Sequence, residues 1–160
     1  MNIFVLDLNL TRCARAHVDK HVVKMPLESA QMLSTAVRLS GIEAGYKITH
    51  QNHPCNIWVR SSLSNWLWLR DLAYELNEEW KYRYKHSSDC KSYETIKSLP
   101  LPNIDDIGLT KFSICMDEES KILNDPVLSY RNYYNTQKSH LFAWKNRKVP
   151  SWIQKGISQS

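Results

Sequence analysis

Apolar positions recur at helical intervals along most of this chain, and punctuation by proline, glycine and capping residues divides it into segments. The run Ile3-Phe4-Val5-Leu6 is too short to have a period and is expected to be a brief extended lead-in. Thr11 can cap a helix starting at Arg12, which Pro26 should kink by removing a donor, before the pattern resumes to about Leu39. Gly41 and Gly45 mark a loop to Asn52. Pro54 suits a first helical turn, and Trp58, Leu63, Trp66, Leu69, Ala73, Leu76, Trp80 and Tyr84 predict one long helix behind it.

The signal weakens from His86 to Leu101, and Pro100, Pro102 and Asn103 read as a connector. A short helix is expected near 109–123. Asp125-Pro126 pairs a cap with a first-turn proline and predicts a helix to about Lys145, with Pro150 closing the region. The predicted fold is mainly α: a single compact helical domain over residues 1–160 with a short irregular or extended N-terminal lead-in.

Composition agrees with a packed globule. The 160 residues suffice to bury roughly two thirds of the unfolded surface, and the 17 aromatic residues supply interior volume. No run approaches a membrane span, and Asp7 cuts the first apolar stretch short of a secretory signal. Cys13, Cys55, Cys90 and Cys115 are scattered without zinc-finger spacing, so a reduced, cytoplasmic setting without membrane contact is expected.

The net charge of +5 is unevenly placed. From Pro126 to Ser160 there is no Asp or Glu, while Arg131, Lys138, Lys145, Arg147, Lys148 and Lys155 supply six positive charges. The first 125 residues carry 15 basic and 16 acidic residues, so the asymmetry belongs to the tail. Tyr130, Tyr133, Tyr134, Phe142, Trp144 and Trp152 interleave with those cations, a combination suited to phosphate neutralisation and base stacking or wedging. Solvated charge over core aromatics is the plainer account of the same pattern.

Candidate chemistry lies on the first long helix. His17, His21, Lys24, Glu28, Gln31 and Thr35 follow one another at spacings of 4, 3, 4, 3 and 4, which puts them on one stripe. Val18, Val22, Met25 and Met32 flank one side; Val23, Leu27, Ala30 and Leu33 flank the other. A narrow polar stripe with apolar flanks is expected to face a cleft, where a carboxylate can exchange protons. The alternative is a polar surface face carrying a Lys24-Glu28 pair. A second polar cluster, His50-Gln51-Asn52-His53-Pro54-Cys55, precedes the next helix and reads equally as an anion-binding helix start or as a capped structural turn.

Asp19-Lys20-His21-Val22-Val23-Lys24, then Glu28 and Gln31-Met32-Leu33, then Asn52-His53-Pro54 and Trp58, with Lys148-Val149-Pro150-Ser151-Trp152 near the end, resembles the pattern of small bacterial and phage proteins grouped with pyrimidine-dimer DNA glycosylases. The likeness spans most of the chain but leaves 86–124 unmatched.

The resemblance implies a monomeric glycosylase and abasic-site lyase without metal or cofactor. Its partner would be double-stranded DNA containing damaged pyrimidines or abasic sites, in a bacterial host cell if the chain is phage-encoded. An N-terminal α-amine attacks the sugar C1′, expels the base as a Schiff base forms, and the strand is then cut by β-elimination with help from a glutamate. Free α-amines have a pKa of about 7.7–8.0, so a useful neutral fraction exists at cellular pH.

Glu28 matches the assisting carboxylate. Relatives that expose Thr after loss of the initiator Met have a small second residue; bulky Asn2 disfavours that excision. Aligning Ile3 with the first apolar core residue then assigns the amine to Met1, with Lys20 or Lys24 as alternative nucleophiles. Asn2, His17, His21, Lys24, Gln31 and His53 are expected close to DNA or the lesion. Arg131, Lys145, Lys148 and Lys155 would grip phosphate, with Trp152 near the lesion or displaced base.

Two other functions fit parts of the pattern. A noncatalytic nucleic-acid-binding phage accessory protein needs the basic tail but neither Glu28 nor a free amine. A metal-dependent nucleobase or phosphoester hydrolase would use His17, His21 and Glu28, or His50, His53 and Cys55. Pro54-Cys55 lacks the second cysteine and the preceding His-x-Glu of zinc deaminases.

Overall fold

The computed structural model describes residues 1–154 and is helical, with no strand among those residues. Six α-helices follow an irregular lead-in: α1 (Leu10–Ala16), α2 (Asp19–Leu39), α3 (Pro54–Arg60), α4 (Leu63–Tyr84), α5 (Lys91–Ser98) and α6 (Pro126–Gln137). Helix α2 packs chiefly on α4 and also touches α3 and α5, while α1 lies on α4. Trp66 on α4 donates its indole N–H to the Leu33 carbonyl of α2 at 3.1 Å, tying the two longest helices through the core. Among the described residues no helix is long and apolar enough to cross a membrane.

The lead-in is deeply buried. Ile3, Phe4, Val5 and Leu6 are all core residues, although a buried irregular segment must find partners for its backbone outside any ladder. Side chains supply several of them. Arg131 of α6 donates to the Leu6 carbonyl at 2.8 Å, Cys13 donates to the Phe4 carbonyl, and Glu28 accepts the Asn2 N–H at 3.1 Å. Phe4 stacks on His21 with ring centroids 4.3 Å apart and meets Tyr130 and Tyr134 of α6. The chain terminus is thereby drawn between α2 and α6.

The first helical region differs from its expected form. Asn9, not Thr11, caps α1 by accepting from Arg12 N. The break falls at His17 and Val18, and α2 then runs on through Pro26. The cause of the break is Arg83, fully buried on α4, which donates to the Arg15 and His17 carbonyls; Trp144 takes the Ala16 carbonyl. With those acceptors engaged from outside, the chain can leave the helix without orphaned carbonyls. Pro26 forfeits one bond, which burial of Val22, Met25, Met32 and Leu33 outweighs.

The second long helix is two helices. A loop inserts at Ser61 and Ser62: Leu63 N donates to the Asp105 carbonyl, Ser62 Oγ to Asp106, and Asn65 Nδ2 to the Trp58 carbonyl. Residues 91–98, where the periodic signal is weak, form α5. The helix expected near 109–123 is irregular apart from a 3₁₀ turn at Glu118–Ser120. Its backbone is satisfied instead by distant side chains, since Asn65 accepts from Thr110 N and Tyr130 from Cys115 N.

Asp125 caps α6 as expected, accepting from Leu128 N. The helix stops at Gln137 rather than near Lys145. Residues 143–145 run non-helically against the start of α2, where Asp19 N donates to the Ala143 carbonyl and Asp19 Oδ1 accepts from Lys145 N. Gly45 (φ +72) lets the 41–53 loop lie against α2, since a Cβ there would collide with Ser34 and Leu99.

Candidate active site

A small polar cavity of about 170 Å³ opens where the lead-in, α2 and α6 meet. Met1, Asn2 and Phe4 line it from the lead-in; His21, Lys24, Met25 and Glu28 from α2; and Tyr133 and Lys138 from α6 and its end. Glu28 is at the centre of its charges. Its side chain is only 10% exposed, with Oε1 3.5 Å from the Met1 α-amine and 3.1 Å from Asn2 N. Lys24 Nζ is 3.2 Å from Oε2, so both carboxylate oxygens carry a cationic or N–H partner. Three cations, the terminal amine, Lys24 and Lys138, thus border a cavity holding one carboxylate, a balance that favours an anionic ligand.

Asn2 sets the terminus in place. Its Nδ2 donates to the Cys115 carbonyl at 3.0 Å, and its Oδ1 accepts from Tyr130 at 2.7 Å and from Ile3 N at 2.8 Å. Since the first residue's amine is held only as firmly as the second residue's backbone, these bonds aim it. This positioning of the terminus has no local signal in the sequence, because Cys115 and Tyr130 lie more than a hundred positions away.

The polar stripe is only partly a site. His21, Lys24 and Glu28 reach the cavity. His17 does not, because the helix break removes it from α2; it is buried and donates Nδ1–H to the Cys13 carbonyl at 2.7 Å. Gln31 is half-buried and does not line the cavity, and Thr35 bonds to Thr49 backbone. Of the flank Val23, Leu27, Ala30 and Leu33, the last two are buried as expected, whereas Val23 and Leu27 are exposed. Lys20 is exposed and outside the cavity.

His21 Nδ1 is hydrogen-bonded to Tyr134 at 2.7 Å. Burial, then the nearby His17 and Lys138, lowers its pKa to about 3; burial lowers that of His17 to about 4. Both are neutral in the folded protein near pH 7. Their folded values lie below the ordinary 6.5, so the unfolded chain takes up protons first as the pH falls. Stability present above pH 6.5 should therefore decline toward pH 4 by about 1.4 kcal/mol per pH unit for each histidine. Urea midpoints across that range test this, and His17→Gln, which keeps a donor for Cys13, should remove that histidine's share.

The His50–Cys55 cluster is a capped turn. His53 Nδ1 accepts from Cys55 N at 3.1 Å, and Asn56 Nδ2 donates to the His50 carbonyl. His53 has a lowered pKa, through burial and then the nearby Met1 amine. Neither metal set expected from the sequence, His17, His21 and Glu28 or His50, His53 and Cys55, brings all its donor atoms together; Nδ1 of His17 and of His21 and both Glu28 oxygens already have partners. Among the described residues, a different donor group does meet, His53, Cys55 and Cys115, with ligand atoms within 4.8 Å of one another.

Of the basic tail, Lys138 borders the Glu28 cavity, while Arg131, Lys145 and Lys148 lie elsewhere. Arg131 is spent on Leu6 and Asp7 and stacks over Trp152, which packs on Tyr134 and lies outside the Glu28 cavity. Lys145 rests over Tyr84. Arg12, Arg15, Arg131, Lys148 and Trp152 line a second pocket of about 260 Å³. Lys155 lies outside the described residues. A larger groove, about 580 Å³ between the Asp7–Arg12 and Leu109–Phe112 segments, contains neither Glu28 nor the amine.

The sequence profile of the family described as pyrimidine dimer DNA glycosylase matches residues 1–92 of this chain. The chain belongs to that family. The matched stretch contains Met1, Asn2, His21, Lys24 and Glu28, while Tyr133 and Lys138 come from the remainder. Searches of curated proteins and of solved structures each returned no match. Membership makes this a glycosylase family with DNA as substrate, the role that the family resemblance in the sequence implied.

Proposed function

We propose that this chain excises ultraviolet-induced pyrimidine dimers from duplex DNA through an imine on the Met1 α-amine and then cuts the resulting abasic site as a lyase. The contact between that amine and Glu28 Oε1, 3.5 Å apart inside a cationic cavity, carries the proposal. Glu28 accepts a proton from the ammonium, and the freed nitrogen lone pair attacks C1′. The glycosidic bond breaks, its electrons leave with the base, and opening of the sugar ring yields the iminium. Loss of a C2′ proton then expels the 3′ phosphate by β-elimination. A neutral His21 does not compete with the amine for Glu28.

The cavity is smaller than the roughly 300 Å³ lower bound of common ligand sites. It suits a sugar carbon brought to the amine rather than an extruded dinucleotide. Reaching C1′ requires bending the duplex or extruding a nucleotide. Lys24 and Lys138 at the cavity, with Arg12, Arg15 and Lys148 at the second pocket, are the proposed phosphate contacts.

Borohydride trapping on ultraviolet-irradiated and abasic duplexes tests the proposal. A covalent adduct is expected on both, and selective acylation of the α-amine should abolish it. No adduct on either duplex, beside an active control enzyme, would overturn the imine route. Persistence after α-acylation would transfer the nucleophile to a lysine, with Lys24 the one within the cavity.

A further inference from the structure

Beneath Asn2, two cysteines 60 positions apart meet: Cys55 Sγ is 3.1 Å from Cys115 Sγ. We propose that Cys55 and Cys115 form a reversible peroxide-sensitive disulfide pair whose closure slows chemistry at the terminal amine; the second half rests on the function proposed above. The sulfurs need to approach by only about 1 Å to reach a bond of about 2.05 Å.

The two thiols have unequal roles. Cys55 is fully buried, whereas Cys115 is part-exposed and can meet a small oxidant. The Cys55 thiol and Ser113 hydrogen-bond to Cys115 and lower its pKa to about 6, while the same pairing and burial push Cys55 upward. Cys115 is then the thiolate that reacts, and Cys55 the thiol that resolves.

The Cys115 thiolate attacks one oxygen of hydrogen peroxide, the O–O bond breaks, and hydroxide leaves as a sulfenic acid forms. Cys55 sulfur attacks that sulfur; its proton and the departing hydroxide leave as water, and the S–S bond closes. Two thiols lose two electrons in total, and peroxide becomes two waters. A cellular thiol reverses the step by exchange.

His53 gives the trio a zinc-like donor set, but two features favour the disulfide. Its Nδ1 is occupied as acceptor for Cys55 N, which leaves the neutral ring's proton on the other nitrogen. Tetrahedral zinc would also hold two sulfurs about 3.8 Å apart, farther than here. The link to the site is Asn2, bonded to the Cys115 carbonyl and to Tyr130, which itself accepts from Cys115 N. Displacing Cys115 displaces the residue that aims the amine, and misplacements near 1 Å cost up to about a hundredfold in rate.

The test treats the full chain with hydrogen peroxide at pH 7, alkylates the remaining thiols, and maps peptides by mass. Loss of two of the four thiols, with a peptide joining Cys55 to Cys115, is expected, as is a sulfenic acid on Cys115 in Cys55→Ser. Four surviving thiols, or stoichiometric zinc binding that Cys115→Ser abolishes, would overturn the pair. Borohydride trapping on an abasic duplex should be about tenfold or more slower for the oxidised than the reduced protein, and recover with dithiothreitol. Equal rates would overturn the coupling. If reduced protein traps nothing, the proposed imine function fails and the coupling with it, whereas the thiol count still decides the pair.

Discussion

Glu28→Gln should lower base release by about 10² to 10⁴, the range that a positioned acid–base group contributes, while leaving affinity for damaged duplex within about twofold. The substitution is informative because of what it retains. Glutamine keeps an amide oxygen that can accept the Asn2 N–H, now held by Glu28 Oε1 at 3.1 Å, so the backbone of the lead-in should stay in place. It loses the capacity to take the ammonium proton and the charge that pairs with Lys24 at 3.2 Å. Single-turnover base release and equilibrium binding, measured at one salt concentration, separate the two effects. Equal release rates in variant and parent would remove Glu28 from the chemistry. Binding lost in parallel with release would make it a structural anchor.

Arg83→Met is expected to be the most damaging single substitution for stability, at about 3–5 kcal/mol. The guanidinium is fully buried and donates to Glu79 at 2.8 Å, to Asp19 at 3.0 Å, and to the carbonyls of His17 and Arg15 at 2.7 and 2.9 Å. Its removal leaves Glu79 buried with Arg147 as its main partner, and strips two carbonyls at the α1–α2 break of their donors. Methionine fills much of the volume, so the cost measures lost polar pairing rather than a cavity. Arg83→Lys should recover only part, because an ammonium cannot reproduce the planar fork. Urea midpoints measure the change, and a loss below about 1 kcal/mol would show that the network is dispensable.

The same residue explains why part of the molecule was hidden from sequence reasoning. Helical spacing carries His17 onto the stripe with Glu28, because periodicity assumes one unbroken helix. Arg83, 66 positions further on, takes the His17 carbonyl and removes it from that stripe. Pro26, the locally conspicuous breaker, is overridden by burial. The loop at Asp105 and Asp106 likewise divides α3 from α4 in a run whose apolar pattern is continuous. Where the backbone depends on its own neighbours, as at the Asp125 cap of α6, the expected start is observed.

What the sequence determined by itself was the helical class and the family, with Glu28 singled out as the candidate carboxylate, because periodicity, capping and motif order can be read along the chain. Tertiary structure alone decided that a buried, strandless lead-in carries the Met1 amine to within 3.5 Å of Glu28, and that Cys55 lies against Cys115. Both contacts depend on Asn2, Tyr130 and Cys115 meeting across more than a hundred positions, with side chains satisfying a backbone that no helix pairs. Such partners have no period and no fixed spacing, so the physical reason for them is visible only once the chain is packed.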